Sequence, residues 1–194
     1  MESPLDLESV LEAARRLDRG AFEILVARYS PRLFGFLLRF TANRDDAEDL
    51  VQEVFVRLVR TIGDYQHDGR FEAWLFRIAA NLARDRGRKI SRSPQVFSLD
   101  GVDPASRDAR GSAHGGDRDA GRPDARLRLG EDGDAIQRAL AALPDVEREV
   151  ILLRHYSSMT FAEIASAMDT PLGTALARSH RGLSKMRAFM EQAE

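Results

Sequence analysis

The sequence predicts an all-α protein made of two small helical domains joined by a flexible linker. Apolar residues recur at helical spacing through most of residues 6–92 and again through 131–194, and no alternating strand pattern is present. Residues 93–130 differ, with six Gly, three Pro and four Ser among evenly mixed Asp and Arg. Such a segment buries too little surface to offset the entropy of ordering. We therefore predict domains over 1–92 and 131–194 and a linker over 93–130.

The composition excludes several classes of function. The 194 residues carry a net charge of −2 and include no cysteine, which excludes disulfides, thiolate metal sites and a cysteine nucleophile. The N-terminus does not resemble a signal peptide, so a cytoplasmic location is expected. Four scattered histidines accompany no nucleophile, metal or phosphate-loop motif. We expect no enzymatic activity, no cofactor, no metal and no small-molecule substrate.

An acidic segment opens one predicted helix. Five acidic residues and no basic one lie between Asp45 and Glu53, while Ala47, Leu50, Val51, Val54 and Leu58 follow at the spacing of a buried face. Acid in a first turn suits the helix dipole, so a plain solvated turn is one interpretation. A partner-binding face is the other. Its candidate residues are Asp45, Glu48, Asp49, Gln52 and Glu53.

The next helix, predicted over about 71–89, combines an apolar and a basic stripe. Its apolar set is Phe71, Trp74, Leu75, Ile78, Ala79 and Leu82. Its polar stripe is Arg77, Asn81, Arg84 and Arg88, with Lys89 beside it. Residues 70–92 hold seven basic and two acidic side chains, a net of +5. This spacing suits a phosphate backbone, although a solvated arginine-rich face is the alternative.

The loop before this helix carries groups that can hold an unstacked base. Tyr65, His67 and Arg70 supply an aromatic ring and hydrogen-bond donors around Gly69. Any surface loop can contain such residues, so the loop alone decides nothing. Trp74 lies on the predicted apolar face, which favours core packing over base stacking.

The C-terminal domain shows a helix-turn-helix pattern. Leu143 and Pro144 end one helix, and 145–156 form a second. Thr160 and Glu163 form a predicted capping box for a helix over 161–168. We expect Thr170 to cap the last helix, about 172–190, with Pro171 at its first position. That helix is basic, which favours a helix-turn-helix over a plain αα-hairpin without excluding the latter.

Three ordered segments resemble small sigma-70-family factors of the extracytoplasmic-function (ECF) type. Residues 45–55 resemble region 2.2 of that family, and 71–81 with the arginines that follow resemble regions 2.3 and 2.4. Residues 143–187 resemble region 4. The resemblance covers both ends of the chain, and Leu176 departs from it, since a basic residue is usual there.

The resemblance implies a subunit of RNA polymerase that directs promoter-specific transcription initiation, with core polymerase and promoter DNA as partners. It assigns the acidic segment to core binding and the first domain to the −10 element through Tyr65, His67, Arg70, Arg77, Asn81, Arg84, Arg88 and Lys89. It assigns the last helix to the −35 element through Thr174, Arg178, His180, Arg181 and Lys185. Control by an anti-sigma factor is expected. A homodimeric helix-turn-helix repressor is the alternative, but it explains only the C-terminal domain.

Overall fold

The structure, a computed structural model, describes residues 6–92 and 133–192, with side chains 90–92 left aside. The predicted linker lies outside the described residues. Within those ranges the chain is helical and has no strand, which confirms the all-α prediction. The elements are α1 (Leu7–Arg15), α2 (Arg19–Thr41), α3 (Arg44–Thr61), a 3-10 turn (Ile62–Asp64), α4 (Phe71–Arg92), α5 (133–141), α6 (Asp145–Tyr156), α7 (Phe161–Ala167) and α8 (Leu172–Glu191).

Helix α3 packs against α2 and α4 through its apolar face. Ala47, Leu50, Val54 and Leu58 are fully buried, as the spacing predicted, while Val51 is half-buried. The helix begins at Arg44, slightly earlier than predicted, because the Asn43 side chain accepts a hydrogen bond from the Asp46 amide at 2.9 Å. The acidic segment therefore forms the first turns of α3 and points away from the core.

Helix α4 buries a wider apolar face than the predicted stripe. Phe71, Leu75 and Ala79 are buried as expected, but Phe76, Ala80 and Ala83 complete the core face. Trp74, Ile78 and Leu82 are only half-buried. The physical reason is aromatic packing against α2, where the Phe76 ring meets Phe36 edge-on at 5.4 Å. The basic stripe is consequently presented on the side of α4 that faces away from α2.

The C-terminal helices form the expected helix-turn-helix pair. The capping box of α7 is confirmed: the Glu163 amide donates to Thr160 Oγ1 at 3.3 Å, and the Thr160 amide donates to Glu163 Oε2 at 2.7 Å. The prediction that Thr170 caps α8 was wrong. Pro171 occupies the cap position without a side-chain hydrogen bond, and the Thr170 amide belongs to the turn that ends α7, where it donates to the Ala165 carbonyl at 2.9 Å.

The two ends of the chain pack against each other, whereas the predicted flexible linker implied that they move independently. The buried residues form one continuous core that includes α2, α4 and α6. Tyr156, at the end of α6, lies against Phe36 and Phe76 with ring centroids at 6.0 and 6.4 Å. Residues predicted for two separate surfaces are therefore brought close together.

Candidate nucleic-acid interface

The predicted core-binding residues lie together on the exposed side of α3. Asp45, Glu48, Asp49, Gln52 and Glu53 are all exposed. Glu48 pairs with Arg44 at 2.8 Å within the helix, and Arg86 of α4 pairs with Asp49 at 3.3 Å. Exposed ion pairs of this kind contribute little stability and can exchange partners. The face is therefore a coherent acidic surface that is available for an external cationic partner.

The basic stripe of α4 lines a cavity of about 560 Å³ between α3 and α4. Arg77, Asn81 and Arg88 are exposed along its wall, as predicted, and Lys89 is exposed beside it. Arg57 of α3 adds a further guanidinium that the sequence analysis missed. Arg57 lies one turn after Glu53, so helical spacing already places the two residues on one side of α3. Only the packing of α3 on α4 shows that Glu53 and Arg57 both face one groove.

Tyr65, in the loop before α4, is more buried than a base-binding residue of an open surface loop would be. Tyr65 is only 8% exposed, and its ring packs on Trp74 with centroids 4.5 Å apart. Its hydroxyl lies 3.3 Å from His67 Nδ1, and burial raises the pKa of Tyr65 above its usual value. Tyr65 is thus chiefly a core residue. It still lines a second cavity of about 400 Å³ together with Trp74 and Arg70.

Arg181 and Lys185 lie on the flank of α8 that faces α6. Arg181 Nε lies 3.3 Å and Lys185 Nζ 2.9 Å from the carboxylate of Glu147, whose side chain is 6% exposed. The hydrogen bond from Lys185 holds the pKa of Glu147 below its ordinary value despite the burial. Thr174 and Arg178 are half-buried, and His180 is exposed. The residues predicted to contact the −35 element therefore lie on one helix but not on one face of it.

The opposite flank of α8 is apolar. Leu172, Leu176 and Leu183 are 47%, 44% and 54% exposed. The buried side between the flanks is formed by Ala175, Ser179 and Gly182 against α6. A Cβ at Gly182 would lie 2.7 Å from Ile151 Cδ1, so the close approach of the two helices depends on this glycine.

Two of the predicted −10 residues are engaged by carboxylates of the C-terminal helices. Arg70 pairs with Glu163 of α7, and Arg84 Nε lies 3.2 Å from Glu149 Oε1 of α6. Glu149 is 1% exposed, and desolvation raises its pKa to about 7 although Arg84 opposes the shift. For Glu163, hydrogen bonds from Thr160 lower the pKa instead.

The described residues thus combine a helix-turn-helix pair, a basic groove and an acidic face that borders the groove. Among residues 6–92 and 133–192 no three His, Asp or Glu side chains are grouped to hold a metal, and no helix is long and apolar enough to span a membrane. Basic helical surfaces of this kind define the class of DNA-binding proteins.

Comparison with known proteins identifies the family. Residues 25–93 match the model of Sigma-70 region 2, and residues 133–186 match that of Sigma-70, region 4. The chain is 29% identical over 174 residues to the RNA polymerase sigma-H factor of Pseudomonas aeruginosa, covering 90% of this chain and 88% of the relative. It is 28% identical over 181 residues to the ECF RNA polymerase sigma-E factor of Escherichia coli K12, covering 93% and 92%.

Solved structures agree with this assignment. CnrH, solved in complex with the cytosolic domain of CnrY, is 26% identical with a TM-score of 0.65, covering 97% of this chain and 100% of CnrH. The sigma factor RpoE of Bartonella quintana, at 23% identity, shares the fold with a TM-score of 0.60 over 88% of this chain and 96% of its own. The chain belongs to the sigma-70 family and is of the ECF type. It is an RNA polymerase sigma factor that directs transcription initiation and binds core polymerase and promoter DNA.

Proposed function

We propose that the two ends of the chain divide promoter recognition between them. Residues 1–92 bind core polymerase and recognise and melt the −10 element, 93–130 connect the domains, and 131–194 read the −35 element. The observation that supports this division is the distribution of charge in the structure. The acidic face of α3 is exposed and borders the arginine-lined groove between α3 and α4, with Glu53 at the boundary of the two, and a further basic flank belongs to α8.

The acidic face of α3 is the proposed core-binding surface. Glu48, Asp49 and Glu53 are exposed and lie off the buried stripe of α3, so a basic surface on core polymerase can approach them without disturbing the fold. Asp45 and Gln52 extend the same face. Charges opposed across an interface chiefly set partner choice and association rate, which suits a subunit that must select one large partner.

The groove between α3 and α4 is the proposed binding surface for melted −10 DNA. Arg77, Arg88 and Arg57 line one cavity, where their guanidinium groups can track successive phosphates. Asn81 on the same wall offers an amide for hydrogen bonding. Tyr65 and Trp74 both line the adjoining cavity with their ring centroids 4.5 Å apart, so an unstacked base would contact this ring pair rather than a free tyrosine.

Helix α8 is the proposed −35 reader. Arg178 and Arg181 are the proposed base-edge or phosphate contacts, and Thr174 lies in the first turn, where amide groups favour phosphate. Leu176 replaces the usual basic residue and is 44% exposed. It offers an apolar contact that fits a thymine methyl group in the major groove. We therefore expect one polar contact fewer than in relatives that carry a basic residue there.

An anti-sigma factor is the proposed regulator, and the cytoplasm the proposed location. The Bartonella quintana sigma factor that shares this fold was solved in complex with an anti-sigma factor, which supports this part of the proposal. We also propose that the chain carries no catalytic activity of its own, since sigma factors act by positioning polymerase.

Charge reversal on α3 tests the core-binding assignment. The double variant Glu48→Lys with Glu53→Lys should lose several kcal/mol of affinity for core polymerase, because repelling charges would be apposed across the interface. The matched control is Glu12→Lys, an exposed charge reversal on α1. Unchanged affinity for core in a double variant whose circular dichroism is native would refute the assignment. A strong, sequence-specific footprint from the free chain would instead favour the homodimeric repressor.

A further inference from the structure

The loop between the 3-10 turn and α4 supplies most of one wall of the cavity proposed to receive an unstacked base. This cavity of about 400 Å³, the base cavity, is lined by Tyr65, Gln66, Asp68 and Arg70 of the loop and by Trp74 of α4. Residues 65–70 form neither helix nor strand. Their backbone groups therefore lack a regular ladder of hydrogen bonds and need other partners to hold one conformation.

Helix α1 supplies one such partner from outside the loop. Val10, Leu11 and Ala14 are buried and dock α1 on the core, where it packs against the 3-10 turn. Arg15 lies in the last turn of α1, and its Nη2 donates a hydrogen bond to the Tyr65 carbonyl oxygen. A hydrogen bond from a charged donor is about twice as strong as a neutral one. Since 50 residues separate the two partners, no helical spacing predicts this contact.

Both backbone polar groups of Tyr65 are engaged as a result. Its amide donates to the Ile62 carbonyl at 3.2 Å, and its carbonyl accepts from Arg15. Above this fixed backbone the Tyr65 ring packs on Trp74 with centroids 4.5 Å apart and on Phe71 at 5.7 Å. The ring pair that an unstacked base would contact is therefore in place before the base arrives. Such preorganisation reduces the cost of ordering the site on binding.

We propose that Arg15 is a positioning residue for −10 base recognition: its bond to the Tyr65 carbonyl holds the Tyr65–Trp74 ring pair at the base cavity. The inference rests on the proposed −10 surface. It adds a residue that lies outside 25–93, the segment that matches Sigma-70 region 2. Arg15 acts through the loop and does not touch DNA. Its loss should therefore weaken recognition of one base and leave the phosphate contacts intact.

Four substitutions separate this role from its alternatives. Arg15→Met removes the donor and keeps an unbranched side chain, whereas Arg15→Lys retains a cationic donor and should preserve most of the effect. Arg16→Met is the matched control, because it removes an equal charge from the same end of α1, and both arginines are exposed. Tyr65→Leu removes the ring but leaves an apolar side chain for the core, so it tests the base cavity independently of Arg15.

The measurement is the affinity of reconstituted holoenzyme for a single strand that covers the −10 element of a promoter it opens. The same strand with an abasic residue at each position in turn locates the unstacked base, because stacking on an aromatic ring contributes about 5-fold to 150-fold in affinity. At that position Arg15→Met should shrink the ratio of intact to abasic affinity by about fivefold, the contribution of one hydrogen bond. Affinity for the abasic strand and its salt dependence should not change. Arg16→Met should match wild type, and every variant should keep its native circular dichroism.

Three results would overturn the proposal. An unchanged ratio in Arg15→Met, with the ratio abolished in Tyr65→Leu, would show that the loop keeps its shape without Arg15. An equal loss on intact and abasic strands, with a weaker salt dependence, would show that Arg15 contacts phosphate itself. A wild-type ratio near one at every position, or one that Tyr65→Leu leaves intact, would show that the base cavity is not used. Wild type and Tyr65→Leu thus report on the proposed −10 surface, and Arg15→Met reports on the positioning role.

Discussion

Replacing Glu149 by glutamine should remove a specific pH dependence of stability. The carboxyl group is 1% exposed, lies 3.2 Å from Arg84 Nε, and is also influenced by Arg88, Arg178 and the like charge of Asp145. Desolvation outweighs the attraction of the arginines and raises the pKa of Glu149 from 4.5 to about 7. The folded protein therefore binds the Glu149 proton more tightly than the unfolded chain does.

The sign and size of the effect follow from this difference. A group whose pKa is raised on folding contributes stability that is complete below its unfolded pKa and is lost as the pH rises through its folded pKa. At about 1.4 kcal/mol per pH unit, the wild-type free energy of unfolding should fall by about 2 to 3 kcal/mol between about pH 5 and about pH 8 through this group alone. The pKa values of Glu147 and Glu163 are lowered, so these two groups change the free energy of unfolding only below the ordinary carboxyl pKa, outside this window.

Urea unfolding at the two pH values, followed by circular dichroism, measures the effect. Glu149→Gln keeps the shape of the side chain and cannot titrate, so the wild-type fall should shrink by about 2 to 3 kcal/mol in the variant. Other titrating groups are common to both proteins and cancel in the difference. Glu12→Gln, on the exposed side of α1, should leave the wild-type pH dependence unchanged. A fall in stability of equal size in wild type and Glu149→Gln would refute the reasoning.

Three further substitutions test separate parts of the structure. Thr160→Ala removes the cap of α7 and should lower the free energy of unfolding by about 1 kcal/mol, measured by urea denaturation with Thr160→Ser as the conservative control. Arg88→Ala should weaken holoenzyme binding to all promoter sequences alike and flatten the salt slope by about 0.7 to 0.9, and a change of sequence preference instead would contradict a phosphate role. Arg178→Ala should relax specificity at one or two −35 positions by about 1 to 3 kcal/mol each, measured with single-substituted promoters, whereas an equal loss on every duplex would show that Arg178 only positions the domain.

Local patterns in the sequence were sufficient for the helices and for the sharpest caps. The α3 stripe Ala47, Leu50, Val54 and Leu58 is buried because its spacing leaves one apolar face to cover, whatever covers it. The capping box at Thr160 forms because both partners are three residues apart on one chain. The cap predicted at Thr170 is not formed, because α8 begins at Leu172 with Pro171 as its N-cap, and Thr170 lies in the turn that ends α7.

The burial of aromatic residues could not be read from spacing. Trp74 and Phe76 are both apolar members of α4, and either could face the core on periodicity alone. Phe76 faces the core because its ring meets Phe36 of α2. Trp74 packs on Tyr65 instead and is half-buried. Tyr65, expected in an open base-binding loop, became mostly buried through the same cluster.

The sequence by itself determined the all-helical class, the exposed acidic face of α3 and the basic residues of α4 and α8, because each depends on contacts within a few turns of one helix. Only the tertiary structure decided which of those charged side chains are engaged by other parts of the chain. Arg84 meets Glu149 and Arg70 meets Glu163 across separations of 65 and 93 residues, and no helical period links such pairs. The docking of Tyr156 on α2 brings them together, so the availability of these two proposed DNA-binding cations is a property of the packed chain.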